Sequence, residues 1–171
     1  MKIGIFIGRF QPFHNAHLKD VRDVLKEVDI LHIGIGSAQE KGTEENPFSF
    51  GERKEMIAHA LKEAKIKGCR FFPVHDVGDD ELWANEIERK LHIKNRRSEV
   101  TIFSGNDWTL ECFKKKGFAV KKIKLVDDMS GTIIRGLMKE NKEWASMVPK
   151  AVETYIKNKR ADESESKGSK N

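Results

Sequence analysis

The stretch Gly8-Arg9-Phe10-Gln11-Pro12-Phe13-His14-Asn15-Ala16-His17 puts one guanidinium and two imidazoles close together in the chain. His14 and His17 are three residues apart, so a helix beginning near His14 carries both on one face of its first turn. A helix N-terminus offers free N–H groups and a partial positive charge, which suits a phosphate. Gly8 lets the backbone turn sharply or approach a ligand closely, and Pro12 keeps the loop from becoming helical early. The chemistry this points to is phosphate handling. Neither G-x-x-x-x-G-K-[ST] nor G-x-G-x-x-G follows the first apolar run. As a zinc site the histidine pair lacks a nearby third ligand of obvious spacing and the H-E-x-x-H form.

A second stretch, Met129-Ser130-Gly131-Thr132-Ile133-Ile134-Arg135, has the same character. Ser130 or Thr132 can cap the helix that follows, and Arg135 lies one turn in, so hydroxyls, N–H groups and a guanidinium again make an anion site. Taken alone, it reads first as an ordinary helix start with an exposed arginine.

The elements that must position these residues alternate regularly. Ile3-Gly4-Ile5-Phe6-Ile7 is a strand, and Leu18, Val21, Leu25 and Val28 mark a helix. Ile30 to Gly36 reads as a strand buried on both faces, and the polar stretch Ser37 to Phe48 is long for a mere connection. Ser49 and Glu52 form a capping box for a helix with Met56, Ile57, Ala60, Leu61 and Ala64 on one stripe, stopping near Gly68. Cys69 to Val74 is a third strand. Asp79 is a candidate N-cap for a helix from about Glu81 to Leu91. Val100 to Phe103 is a fourth strand, followed by a helix around Leu110 and Phe113 that Gly117 closes. Phe118 to Leu125 contains a fifth strand, Thr132 to Glu140 is a short helix, and Pro149 fits the first residue of a last helix running to about Lys159. This order predicts a single α/β domain over residues 1–159, Rossmann-like and doubly wound, with a mainly five-stranded parallel sheet and helices on both faces. Residues 160–171 are polar, and a disordered tail is expected there. In such sheets ligands bind beyond the carboxyl ends of the strands, where the polar stretches above converge.

Composition narrows the class. The chain has 171 residues with 38% hydrophobic and 35% charged residues, enough for one domain with a real core. No apolar stretch is long enough to cross a bilayer, and Cys69 and Cys112 form no framework, so reduced thiols in a cytoplasmic protein are expected. The net charge of +5 includes basic clusters at Lys94-Asn95-Arg96-Arg97, at Lys114-Lys115-Lys116, and at Lys121, Lys122 and Lys124. Acidic residues are interleaved, so these read as solvated faces rather than a nucleic-acid surface, and a basic balance suits anionic nucleotides.

Gly-Arg-Phe-Gln-Pro-Phe-His resembles the opening motif of the archaeal-type nicotinamide mononucleotide adenylyltransferases, within the H-x-G-H nucleotidyltransferase superfamily. Ala16 stands where that family usually has Gly. Ser130, Thr132 and Arg135 match its late I-S-x-T-x-x-R motif, with Gly131 at the variable place. Gly36-Ser37-Ala38-Gln39, Glu45-Asn46-Pro47-Phe48 with Gly51-Glu52-Arg53, Ser104-Gly105-Asn106, and the late Trp144, Val148-Pro149 and Ala151-Val152 match further strings. The resemblance implies transfer of AMP from ATP to nicotinamide mononucleotide, giving NAD and pyrophosphate. It implies catalysis by Arg9, His14, His17 and Arg135, and ATP binding by Gly8, Arg9, Phe10, His14, His17, Gly105, Asn106, Ser130, Thr132 and Arg135. It implies acceptor binding by Ser37, Gln39, Asn46, Asp76, Asp80 and Trp83, with Trp83 matching the aromatic residue that packs on the nicotinamide ring. Asp80 replaces the family's Asn, which bears on the choice between nicotinamide and nicotinate mononucleotides. With no obvious carboxylate cage, Mg²⁺ is expected to arrive on ATP rather than on protein side chains. Homo-oligomers, often hexamers, are the family's habit. A related transferase with nicotinate mononucleotide, phosphopantetheine, flavin mononucleotide or an alcohol phosphate as acceptor, and a non-catalytic nucleotide- or RNA-binding module, are the competing readings.

Overall fold

The computed structural model describes residues 1–124, 126 and 128–168. The elements run β1 (Ile3–Gly8), α1 (Asn15–Val24), β2 (Ile30–Ile35), α2 (Phe50–Glu63), β3 (Cys69–Pro73), α3 (Asp80–Leu91), β4 (Val100–Ser104), α4 (Asp107–Lys115), β5 (Ala119–Lys122), α5 (Gly131–Lys139) and α6 (Lys150–Gly168). The sheet order is β3-β2-β1-β4-β5 and every pairing is parallel. After β3 the chain returns past β1 to lay down β4, and this reversal opens a crevice beyond the carboxyl ends of β1 and β4.

Side chains of β1 alternate between two cores, as a period of two demands. Phe6 joins α1, α2, α5 and α6 on one face through Val21, Met56, Ile57, Ile134, Val152 and Ile156. Ile3, Ile5 and Ile7 meet α3 and α4 on the other through Trp83, Ala84, Ile87, Leu110 and Phe113. Ile5, Leu31, Ile33, Ile35 and Ile102 are fully buried, which is why the strands read as near-continuous apolar runs.

The helix starts follow the caps read from the sequence. Ser49 Oγ accepts from the Glu52 N–H and Glu52 returns the bond to the Ser49 N–H. Asp79 accepts from the Leu82 N–H. Of the two candidates for α5, Ser130 is the cap, accepting from the Ile133 N–H.

Other boundaries differ. Pro149 precedes α6, its carbonyl accepting from Val152 and Glu153. The fifth strand is shorter than the run that contains it, and Leu125 lies outside the described residues. Helix α6 continues to Gly168 where a tail without structure was expected from Arg160. Lys159 pairs with Glu52 and Glu163, and elongating a helix already nucleated costs far less than starting one. Residues 169–171 lie outside the described residues. Five cations of the basic clusters are paired: Arg96 with Glu99, Arg97 and Lys116 with the buried Glu88, Lys121 with Glu27, and Lys122 with Asp107. Among the described residues no helix is long and apolar enough to cross a membrane.

Candidate active site

The two histidines cap their own helix. His14 Nδ1 accepts from the His17 N–H at 3.4 Å, and His17 Nδ1 accepts from the His14 N–H at 3.3 Å. The rings stack with centroids 3.5 Å apart and 16° between planes, and His17 also packs on Phe10 and Phe13. With both Nδ1 atoms committed as acceptors, the neutral tautomer carries its proton on Nε2 in each ring. Burial lowers the His14 pKa to about 4. It lowers that of His17 well below the ordinary imidazole value, and the neighbouring His14 adds to the effect. At neutral pH the pair therefore presents Nε2–H donors without holding a buried charge.

The loop before them is held from several sides. Phe10 has φ 53°, and its ring folds back over Gly8, where a Cβ would come within 2.9 Å of it. Gln11 is buried and bonds the Phe48 main chain twice, donating to the carbonyl at 2.8 Å and accepting from the N–H at 3.0 Å. Arg53, on α2, is fully buried. Its guanidinium donates to the carbonyls of Arg9 and Gly36, both at 2.6 Å, and to those of Ser37 at 3.1 Å and Ser49 at 3.3 Å. Burial, then the nearby Arg9, pulls its pKa down to about 10, so it stays charged among carbonyl dipoles. The sequence showed Arg53 only as part of a string, with no sign that it ties three segments together.

The two phosphate motifs meet. Arg135 Nη1 donates to the Gln11 carbonyl at 2.8 Å, and Nη2 to Thr132 Oγ1 at 3.4 Å. Gly131 is required here, since a Cβ on it would lie 2.8 Å from the Gln11 oxygen and 3.1 Å from Arg135 Nη1. Arg9, Phe10, His14, His17, Ser130, Thr132 and Arg135, with Lys124, line one cavity of about 230 Å³.

A second cavity, about 420 Å³, opens over the ends of β1 and β4. It is lined by Gly8, Arg9, His17, Ser37, Asp76, Trp83, Gly105, Asn106 and Trp108. Gly105 and Asn106, expected on the ATP side, thus share a wall with acceptor candidates. Gln39 stands behind this wall, where its amide donates to Asp76 at 2.8 Å and accepts from the Asp76 N–H at 3.2 Å. Asn46 is buried outside the lining, and its Oδ1 has no partner among the described residues. Trp83 reaches the cavity but is only 4% exposed, covered by Trp108 with centroids 4.7 Å apart, while Trp108 is 44% exposed. Trp108 went unnoticed in the sequence because nothing beyond its place two residues after Asn106 marks it.

Asp80 is not brought to either cavity. It is an exposed first-turn residue of α3, where an acid favours the helix N-terminus. Asp80→Asn is accordingly expected to leave the ratio of kcat/KM for nicotinamide and nicotinate mononucleotides unchanged while lowering stability by roughly 0.3–1 kcal/mol. A changed ratio in that comparison would return Asp80 to the acceptor.

Among the described residues no group of three or more His, Cys, Asp or Glu could hold a metal ion. The cavity between α1 and α5 instead has a cationic donor set that fits a polyphosphate, and a divalent ion carried on it.

A model of the cytidylyltransferase-like family matches residues 5–163. A nicotinamide-nucleotide adenylyltransferase of Thermococcus kodakarensis is 37% identical over 92% of this chain and 83% of its own length. That of Pyrococcus furiosus is 39% identical over 92% and 84%. Among solved structures, a bifunctional NMN adenylyltransferase/ADP ribose pyrophosphatase from Francisella tularensis, complexed with AMP and a manganese ion, superposes with TM-score 0.75 at 27% identity. The match covers 86% of this chain and 44% of that one, so the chain spans less than half the length of that solved protein.

Proposed function

The chain belongs to the cytidylyltransferase-like family, and on that premise we propose that it is a nicotinamide-nucleotide adenylyltransferase, moving AMP from ATP onto the 5′-phosphate of nicotinamide mononucleotide and releasing pyrophosphate. The observation that carries the reading is that two motifs far apart in sequence line one cavity and touch through Arg135 and the Gln11 carbonyl.

The attacking group is a phosphate oxygen that is already anionic, so neither a general base nor a covalent enzyme intermediate is needed. The work left to the protein is in-line placement and neutralisation of charge on the α-phosphate and the leaving pyrophosphate. Arg9 and Arg135 supply fixed positive charge to the cavity, and Arg135 is held by Gln11 and Thr132 before any substrate arrives. His14 and His17 supply Nε2–H donors at the α1 N-terminus, and Ser130 and Thr132 flank the N-terminus of α5. Ser37, Asp76 and the Trp83–Trp108 pair line the acceptor side, with Gln39 orienting Asp76. A divalent ion, Mg²⁺ in this proposal, supplies charge neutralisation on the ATP oxygens when bound. Homo-oligomers belong to the same proposal and are tested by light scattering.

Purified protein given ATP, Mg²⁺ and nicotinamide mononucleotide is expected to form NAD and pyrophosphate. No product with that acceptor, but turnover with nicotinate mononucleotide, phosphopantetheine or flavin mononucleotide, would reassign the acceptor. Nucleotide binding with no turnover on any of them would leave only a binding module.

The histidine pair adds a pH signature. A triphosphate beside neutral imidazoles favours their charged form. ATP binding near pH 6 is therefore expected to take up protons, read as a buffer-dependent enthalpy in calorimetry; binding with no uptake would mean the imidazoles stay neutral beside the phosphates. In the free protein the sign is set by folded values below the unfolded one. Between about pH 6.5 and 4 the unfolded chain binds more protons, so stability falls as pH drops through that window.

A further inference from the structure

The cavity between α1 and α5 contains an apparent contradiction. Its lining is cationic, yet it includes one carboxylate, Asp20, the only one on that wall among the described residues. Asp20 sits on α1 three residues after His17, on the same helical face. It also lines the cavity over β1 and β4, and a third cavity that runs along α1 and β5 beside Phe103, Lys121 and Lys122. It is the one described residue common to all three. The reaction joins a phosphate bearing adenosine to a phosphate bearing the acceptor, so the reacting phosphate belongs where these spaces meet.

Among the described residues Asp20 makes no hydrogen bond or ion pair that would occupy it. Lys19, its chain neighbour, instead bonds Asp23 at 2.6 Å. The Asp20 carboxylate is half-buried and has no cation within ion-pair distance among the described residues. A lone carboxylate facing a triphosphate is repulsive unless a cation lies between them. Hard divalent ions are commonly held in that way, by one or two carboxylates together with substrate phosphates and waters.

We propose that Asp20 is a protein ligand, direct or through water, for the divalent ion that accompanies ATP, so that the cleft selects the metal-loaded nucleotide over the metal-free one. This rests on the adenylyltransferase reading and adds to it a residue that no motif identified.

The test measures binding, not turnover. Mn²⁺ is titrated by electron paramagnetic resonance into the full-length protein saturated with a non-hydrolysable ATP analogue, and the analogue is separately titrated without metal. Asp20→Asn is expected to weaken Mn²⁺ by about tenfold or more, and to strengthen the metal-free analogue by several-fold, since it removes one partly buried like charge. Opposite signs are the signature of a metal ligand. Mn²⁺ affinity unchanged in Asp20→Asn, or both affinities falling together as for a direct hydrogen bond to the nucleotide, overturns the proposal. Asp20→Glu, which keeps a carboxylate, is expected to hold Mn²⁺ more tightly than Asp20→Asn and to bind the metal-free analogue more weakly. If Asp20→Asn does not fold, this variant set against Asp20→Ala decides by the same two signs. Neither titration uses an acceptor. Crossed signs without NAD formation would leave this proposal standing and sink the acceptor reading, whereas NAD formation without crossed signs would sink this proposal alone.

Discussion

Arg135→Ala is expected to lower kcat by roughly 10²–10³-fold, the usual cost of removing one donor aimed at developing charge. Its guanidinium lines the cavity, is anchored on the Gln11 carbonyl at 2.8 Å, and has its pKa lowered by burial and then by the nearby Arg9 charge. Two guanidiniums held close together are unfavourable in the empty protein and become favourable when a polyphosphate enters between them. Arg135→Lys keeps the charge but loses the planar fork, so it is expected to recover only part of the rate. Stability is expected to change little, because the bond lost from Gln11 lies at a cavity wall that water can reach. Its net worth of about 1 kcal/mol corresponds to roughly 2–4 °C in a chain of this size. His17→Ala is expected to act on turnover in the same range. Steady-state kinetics beside thermal melts decide the matter: if turnover survives while the melting point collapses, both residues are structural and the assignment of the cleft fails.

Arg53→Met is expected to do the reverse, with a loss of about 3–5 kcal/mol of stability, since four carbonyls around a fully buried side chain lose a charged donor at once. That is a fall in Tm on the order of 10 °C. The side chain is fully buried and has no carboxylate at hydrogen-bonding distance among the described residues. Its four partners come from the Arg9 loop, the end of β2 with the start of the loop after it, and the Ser49 cap. Removing the fork frees all three segments together, so activity is expected to fall even below the melting transition. Arg53→Lys offers a point charge with three donors on a longer reach and is expected to restore only part of the loss. A melting point within about 2 °C of the parent, the shift of a small stability change, would show that water satisfies these carbonyls without help.

Local rules were legible because they act over a few residues. The capping box at Ser49 and Glu52, the Asp79 cap, the alternating strands and the two phosphate motifs all reappear in the structure. What the sequence did not disclose depends on segments that meet only after folding. Arg53 looks like any charge near a helix start until three segments close over it. Gly131 looks variable until the Gln11 carbonyl is placed 2.8 Å from where its Cβ would be. The spacing of the histidines points to phosphate handling, yet they also cap one another, and that reciprocal bond sets which nitrogen carries the proton. Trp83 matches the family's ring-packing aromatic residue, and nothing in the sequence shows that Trp108 covers it from another helix. Asp80 and Asp20 look alike in the chain, and only the packing of α1 and α3 turns one to solvent and the other into the cleft.

The Trp83–Trp108 contact also gives the protein a built-in optical probe. Two of its three tryptophans have ring centroids 4.7 Å apart, close enough for their electronic transitions to couple, and line the cavity over the ends of β1 and β4. The third, Trp144, is buried in the other core, where it contributes a steady background. A base that stacks on the exposed Trp108 or displaces it changes the emission of the pair and its near-ultraviolet circular dichroism. Occupancy of that cavity can therefore be followed in the unlabelled protein.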